Sequence, residues 1–152
     1  MVVRTLTRSP LEFFHVTLNA RTWRYRVLST TAEMGLFLNE LVALLTAAGY
    51  PRKDVFAVRL ALEEAVVNAI EHGHGGDSTK QVQVRYCVAD DCFLAEVQDE
   101  GQGFSFADVA GRPGAGRRGR DSGLALMLRC MTWVEHNEAG NCVTLCKYRS
   151  PA

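Results

Sequence analysis

Between Val58 and Gly73 the chain reads VRLALEEAVVNAIEHG, a stretch whose period fits one helix and whose polar residues do not gather on one side of it. At about 100° per residue, Arg59 and Glu63 share one stripe and form an i,i+4 pair suited to a solvated face. Glu64, Asn68 and Glu71 fall on another stripe, with Leu60 and Val67 on one flank and Ala61 and Ala65 on the other. Val55, Val58, Leu62, Val66 and Ala69 make a third, apolar face. Such a helix holds a carboxylate and an amide half-buried between apolar flanks, and these groups cost free energy unless paired or ligated. Their partner is either a neighbouring loop or a ligand, and the stretch alone leaves both open.

Upstream, Thr30-Thr31-Ala32-Glu33 has the form of a capping box, and Met34, Leu38, Leu41, Leu45 and Ala48 keep the helical period behind it. Gly49 ends that helix as its C-cap, and Pro51 suits the first turn of the next. The second helix is expected from about Arg52 to His72, stopped by Gly73, Gly75 and Gly76. Before both, Glu12 to Leu18 and Trp23 to Leu28 are short β-rich runs parted by Asn19-Ala20.

After the glycines the period changes to two. Val82, Val84, Tyr86 and Val88 alternate with Gln81, Gln83, Arg85 and Cys87. Ala89-Asp90-Asp91 makes a turn, and Phe93, Ala95 and Val97 continue on a second strand. One face is apolar and the other mixed, as in an antiparallel sheet covered on one side. By the same alternation Asp99 points to the covered side, where an acid needs a partner. From Gly101 to Gly123 the periodicity dissolves into glycines, Pro113 and four arginines, which suits a flexible connection or a lid over a ligand. Leu124, Met127, Leu128 and Met131 then mark one face of a last helix. Thr132 to His136 and Cys142 to Tyr148 form a closing hairpin around Asn137-Glu138-Ala139-Gly140. The order predicts an α+β fold: a two-layer sandwich in which helices cover one face of a mostly antiparallel sheet.

Bulk properties narrow the class. At 152 residues the chain is one domain's worth, with a globular composition of 47% hydrophobic and 22% charged residues. Zero net charge argues for neither nucleic acid nor a membrane surface, although arginines gather at Arg4, Arg8, Arg21, Arg24 and Arg26 and again at Arg112, Arg117, Arg118 and Arg120. No apolar run approaches the roughly 20 residues of a membrane span, and no signal peptide is read at the start. Five cysteines without a Cys-x-x-Cys suggest a reducing cytoplasm and thiols used as small core or strand residues. Cys142 and Cys146 share a strand face, but with His72 or His74 their spacing matches no common zinc site.

Three separated signals bear on chemistry. Glu64-x-x-x-Asn68 offers a base and an amide oxygen suited to a metal; Asp99-x-Gly101-x-Gly103 sets an acceptor beside bare backbone that a flat ring can approach. Arg120-Asp121-Ser122-Gly123-Leu124 opens a helix after a glycine-rich loop, and free N–H groups at a helix start suit phosphate. With these motifs, from about Phe14 to Lys147, the chain resembles the GHKL nucleotide-binding fold (the Bergerat fold), and within it the stand-alone bacterial anti-sigma-factor serine/threonine kinases. Residues Leu62 to His72 resemble the family's N-box, Gln98 to Phe104 its first glycine box and Ser122 to Met127 its second.

The resemblance implies a single histidine-kinase-like ATPase domain over residues 1–152, with the glycine-rich segment as its ATP lid. It implies Glu64 as general base, Asn68 as ligand to a Mg²⁺ that bridges the phosphates of ATP, and Asp99 as acceptor for the adenine amino group. Gly101 and Gly103 match the lid hinge; Gly123 with Arg120, Ser122 and Leu124 matches the phosphate-binding turn. His72 matches a family histidine that either bonds the phosphate region or closes the helix end. The partners implied are a sigma factor or similar regulator, a STAS-type anti-sigma-factor antagonist as phosphorylation substrate, and a second copy of the chain. One departure stands out: the second box usually carries Gly-x-Gly, and here Asp121-Ser122 precedes Gly123. A carboxylate near the phosphates repels them unless it turns away or meets the metal. That keeps a second reading in view, a nucleotide-binding module with weak or no phosphotransfer that sequesters a partner. A third, the detached ATP-binding half of a histidine kinase, is disfavoured because no two-helix context surrounds His15, His72, His74 or His136.

Overall fold

A computed structural model describes residues 23–73, 79–101 and 120–151, and for residues 72, 73 and 120–122 it describes the backbone. The expected run from Glu12 to Leu18, His74, Gly103 and most of the glycine-rich segment expected to form a lid lie outside the described residues. Strand β1 (Arg24–Leu28) leads into helices α1 (Thr31–Ala47) and α2 (Arg52–Asn68), the latter extended by a π-helical turn over Ala69–Gly73. Strands β2 (Val82–Val88) and β3 (Cys92–Gln98) follow, then α3 (Arg120–Cys130), β4 (Trp133–His136) and β5 (Cys142–Tyr148). The five strands are antiparallel throughout and run in the order β1-β2-β3-β5-β4. The α+β sandwich expected from the periodicity is the observed architecture.

Local chemistry explains the boundaries. Thr30 caps α1: its hydroxyl accepts from the Glu33 N–H at 3.2 Å, and the Glu33 carboxylate accepts from the Thr30 N–H at 3.3 Å. A cap of this kind stabilises a helix by about 1 kcal/mol. The helix stops at Gly49, whose φ of +83° suits a residue without a Cβ. At the other hairpin Gly140 has φ +72°, and the Asn137 side chain accepts from the Asn141 and Cys142 N–H groups. The expected helix end at His72 is corrected in kind: past Asn68 the last turn widens to a π turn, a form frequent at functional sites.

The core lies between the helices and one sheet face. Phe37 and Leu41 of α1, Val58, Leu62 and Val66 of α2, and Tyr86, Phe93, Ala95 and Leu145 of the sheet are all buried. Tyr86 is its centre, 5.5 Å from the Phe37 ring and 6.5 Å from that of Phe93, spacings at which tilted aromatic pairs attract. In α3 Met127 is buried, as is Met131 just past its end, and Leu124 packs against the core, but Leu128 is 55% exposed and does not share the buried face expected of it.

The sheet face away from the helices is more apolar than its mixed alternation suggested. Cys87, Cys92, Leu94 and Cys146 are buried there with Trp23 and Trp133 packed against them. The five thiols are free. Burial pushes Cys142 up to about 11, and a hydrogen bond with Cys92 followed by burial raises Cys146, so both stay protonated at neutral pH. They are packing groups, as expected. Among the described residues no group of three or more His, Cys, Asp or Glu is placed to hold a metal, and no helix is long and apolar enough to cross a membrane.

Candidate functional site

The Glu64–Asn68 stripe lies on the last two turns of α2, where the apolar positions of that helix are drawn into the core. Val58, Ala61, Leu62, Ala65 and Val66 are buried, so Glu64 and Asn68 are left at the margin, half-buried. Neither side chain makes a hydrogen bond or ion pair with a described residue. Glu63, by contrast, turns to the outer stripe and accepts from Arg59 at 3.2 Å. The two adjacent glutamates are therefore separated by environment, one paired at the surface and one held beside the core.

Helix α3 packs across α2 and brings Gly123 onto this stripe. A Cβ built on Gly123 would stand 2.9 Å from Glu64 Oε2, 3.0 Å from Asn68 Nδ2 and 3.6 Å from Asn68 Oδ1. Sequence placed Gly123 at the end of an irregular loop and at a helix start; it is a buried residue inside the first turns of α3. Arg120 and Ser122 belong to the same opening of α3, and Leu124 packs into the core beside it. Glu64, Asn68 and Gly123, far apart in the chain, thus meet at one place.

Asp99 and Gly101 make a second group, just past the end of β3. The Asp99 N–H donates to the Asn141 carbonyl at 2.9 Å, and its Oδ1 accepts from the Gly101 N–H at 2.7 Å. The chain is thereby turned at Asp99, and the carboxylate is held partly buried. Glu100 fixes the same turn from outside by accepting from the Gln81 N–H at 3.1 Å. Asn141 was not singled out in the sequence. It follows the Asn137–Gly140 turn, and its carbonyl reaches Asp99 through the pairing of β3 with β5. His72 lies in the π turn, and Gly103 is outside the described residues.

The donor set suits a hard cation such as Mg²⁺, which takes one or two protein oxygens and completes its shell with phosphate and water. The Asn68 amide oxygen beside the Glu64 carboxylate is of that kind. A separate cavity of about 250 Å³ is lined by Glu96, Gln98, Glu135, His136, Asn137, Cys142 and Thr144 at the β3, β4 and β5 side of the sheet.

Comparison with known families decides the class. The profile of the histidine kinase-like ATPase domain matches residues 27–147, from β1 to the end of β5. The chain belongs to this family. It is similar to the serine-protein kinase RsbW of Bacillus licheniformis, 31% identical over 75 residues that cover 49% of this chain and 47% of that protein. Similarity to RsbW of Bacillus subtilis (strain 168) is 27% over 88 residues, 58% of this chain and 55% of that one. The chain thus spans about half the length of the curated relatives it matches. A solved structure of the RsbU and RsbW domains of a Mycobacterium tuberculosis protein superposes with a TM-score of 0.59 at 20% identity, covering 86% of this chain and 34% of that one. That likeness establishes a shared fold.

Proposed function

We propose that this histidine kinase-like ATPase is an ATP- and Mg²⁺-dependent serine/threonine protein kinase of a partner-switching circuit. It holds a sigma factor or comparable regulator and phosphorylates a STAS-type anti-sigma-factor antagonist. The observation that carries the reading is the meeting of Gly123 with Glu64 and Asn68, which joins the two stretches that resemble the N-box and the second glycine box. Similarity to serine-protein kinases over half their length supports the choice of acceptor class.

In this reading each residue has a separate task. Asp99, oriented by its bond from the Gly101 N–H, accepts from the adenine amino group, which an ionised carboxylate with several lone pairs can do. The start of α3, with Arg120, Ser122 and Gly123, offers backbone N–H groups to the phosphates. Asn68 supplies an oxygen to Mg²⁺, which when bound neutralises phosphate charge. Glu64 takes the proton from the acceptor hydroxyl as that oxygen forms its bond to the γ-phosphorus. The bond from the γ-phosphorus to the β–γ bridging oxygen breaks, and ADP departs. Gly101 and Gly103 are read as lid hinges, and His72, in the π turn after α2, as a residue of the phosphate region or of the helix end. A single domain over residues 1–152, a homodimer and work in the cytoplasm belong to the same proposal.

The test is incubation of the purified chain with Mg²⁺, labelled ATP and candidate antagonist proteins. Stable label on serine or threonine of the partner, lost in Glu64→Gln, supports the kinase. Nucleotide binding with no transfer would move the reading to a sequestering module. Absence of any adenine nucleotide binding, unchanged in Asp99→Asn, would end it.

A further inference from the structure

Gly123 sits in a helix, and the described glycines with positive φ are Gly49 and Gly140. Left-handed backbone freedom is therefore not what Gly123 supplies. In a helical setting alanine is ordinarily favoured over glycine, which loses more backbone entropy on folding. What glycine supplies here is room. Outside the helix's own backbone, the three heavy atoms nearest an added methyl are side-chain ends: Glu64 Oε2 at 2.9 Å, and Asn68 Nδ2 and Oδ1 at 3.0 and 3.6 Å. None of these three is a backbone atom, so a methyl would press first on these flexible ends. Gly35 of α1 supplies the contrast, since an added Cβ there meets nothing within 4 Å.

We propose that Gly123 is a positioning residue for the Glu64 carboxylate and the Asn68 amide. Its bare Cα is the wall against which both side-chain ends come to rest. The wall sets where the oxygen of the base and the amide oxygen lie, beyond any contact Gly123 makes with phosphate. The catalytic consequence rests on the kinase reading of Glu64; the contact itself does not. A displacement of about 1 Å in a reacting group can cost on the order of 100-fold in rate.

The full chain is compared with Gly123→Ala and Gly35→Ala, each alone and combined with Glu64→Gln. Gly123→Ala is expected to lower kcat for phosphotransfer by at least about tenfold, with KM for ATP within about twofold. In the Glu64→Gln background the same change should cost several-fold less, because the group it misplaces is already disabled. An equal cost in both backgrounds overturns the proposal, as does a rise in KM with kcat unchanged. A second readout needs no nucleotide: the Asn68 side-chain amide resonances should move in Gly123→Ala and stay in place in Gly35→Ala. If the native chain transfers no phosphate, the kinase reading fails, and the resonances alone decide the positioning. Unmoved, they overturn it. Should Gly123→Ala not fold, Glu64→Asp is added to draw the carboxylate back; recovery of the fold supports the contact, and continued misfolding overturns it.

Discussion

The two ends of α2 solve the burial of a polar side chain in opposite ways. At the first turn Asp54 is 1% exposed and fully engaged: the Ser150 N–H donates to one oxygen and the Ser150 hydroxyl to the other, both at 2.7 Å, with Lys147 Nζ 4.0 Å away. Arg149 extends this clamp, donating to the Ala48 and Gly49 carbonyls and lying 5.3 Å over the Tyr50 ring. The segment after β5 is thereby fastened to the α1–α2 corner. At the last turns the half-buried Glu64 and Asn68 side chains form no hydrogen bond or ion pair with a described residue, and they face a glycine that leaves them space. One end uses its carboxylate for stability. The other leaves its carboxylate without a hydrogen-bond or ion-pair partner among the described residues, and the proposed function supplies that partner as a ligand.

The largest effect that tests this contrast is chemical. Glu64→Gln is expected to lower phosphotransfer by about 10² to 10⁴-fold, the usual contribution of a general base. Nucleotide affinity by calorimetry should change little, and a large loss of affinity would make Glu64 a binding group instead. Next comes stability: Asp54→Ala should cost about 2–3 kcal/mol in urea unfolding, since two hydrogen bonds to a buried charge are lost and the Ser150 N–H is left without its acceptor. Asn68→Leu, at the open end, should be neutral or stabilising by up to about 1 kcal/mol. A comparable cost at both ends would break the comparison.

Smaller effects sharpen it. Gly49→Ala should cost about 1–2 kcal/mol, because φ of +83° strains an L-residue and the new Cβ would lie 2.9 Å from Arg149 Nη2. Gly35→Ala, with open space around it, should raise stability by about 0.5–1 kcal/mol in the same assay. The smallest effect concerns pH. Burial holds His136 below the ordinary imidazole value, so the unfolded chain binds the extra proton first. The stability this neutral histidine contributes is complete above about pH 6.5 and is lost as pH falls through its lower folded value. Urea midpoints between pH 7 and 5.5 should fall more in the native chain than in His136→Gln.

Much of this was legible in the residues. The capping box at Thr30, the glycine stop at Gly49, the two hairpins and the environments of Glu63 and Glu64 all follow from period and turn chemistry, which act over a few residues. Less legible was the far sheet face, where Cys87 and Leu94 alternate among polar neighbours and read as mixed. Strand register is what brings Trp23 and Trp133 to them. The outward turn of Leu128 and the widened turn after Asn68 likewise depend on packing. Asp54 carries no signal of burial in its own stretch, because its partner is Ser150, at the far end of the chain.

By itself, the sequence determined the identity and order of the elements and the presence of a Glu/Asn stripe that needed a partner. Helical and strand periods, caps and turns are local, and local energies are written residue by residue. Only the tertiary structure decided that Gly123 is the residue laid against that stripe and that Asp54 is the one sealed. Such meetings are set by how α3 crosses α2 and where β5 ends, and those placements come from the packing of the whole core.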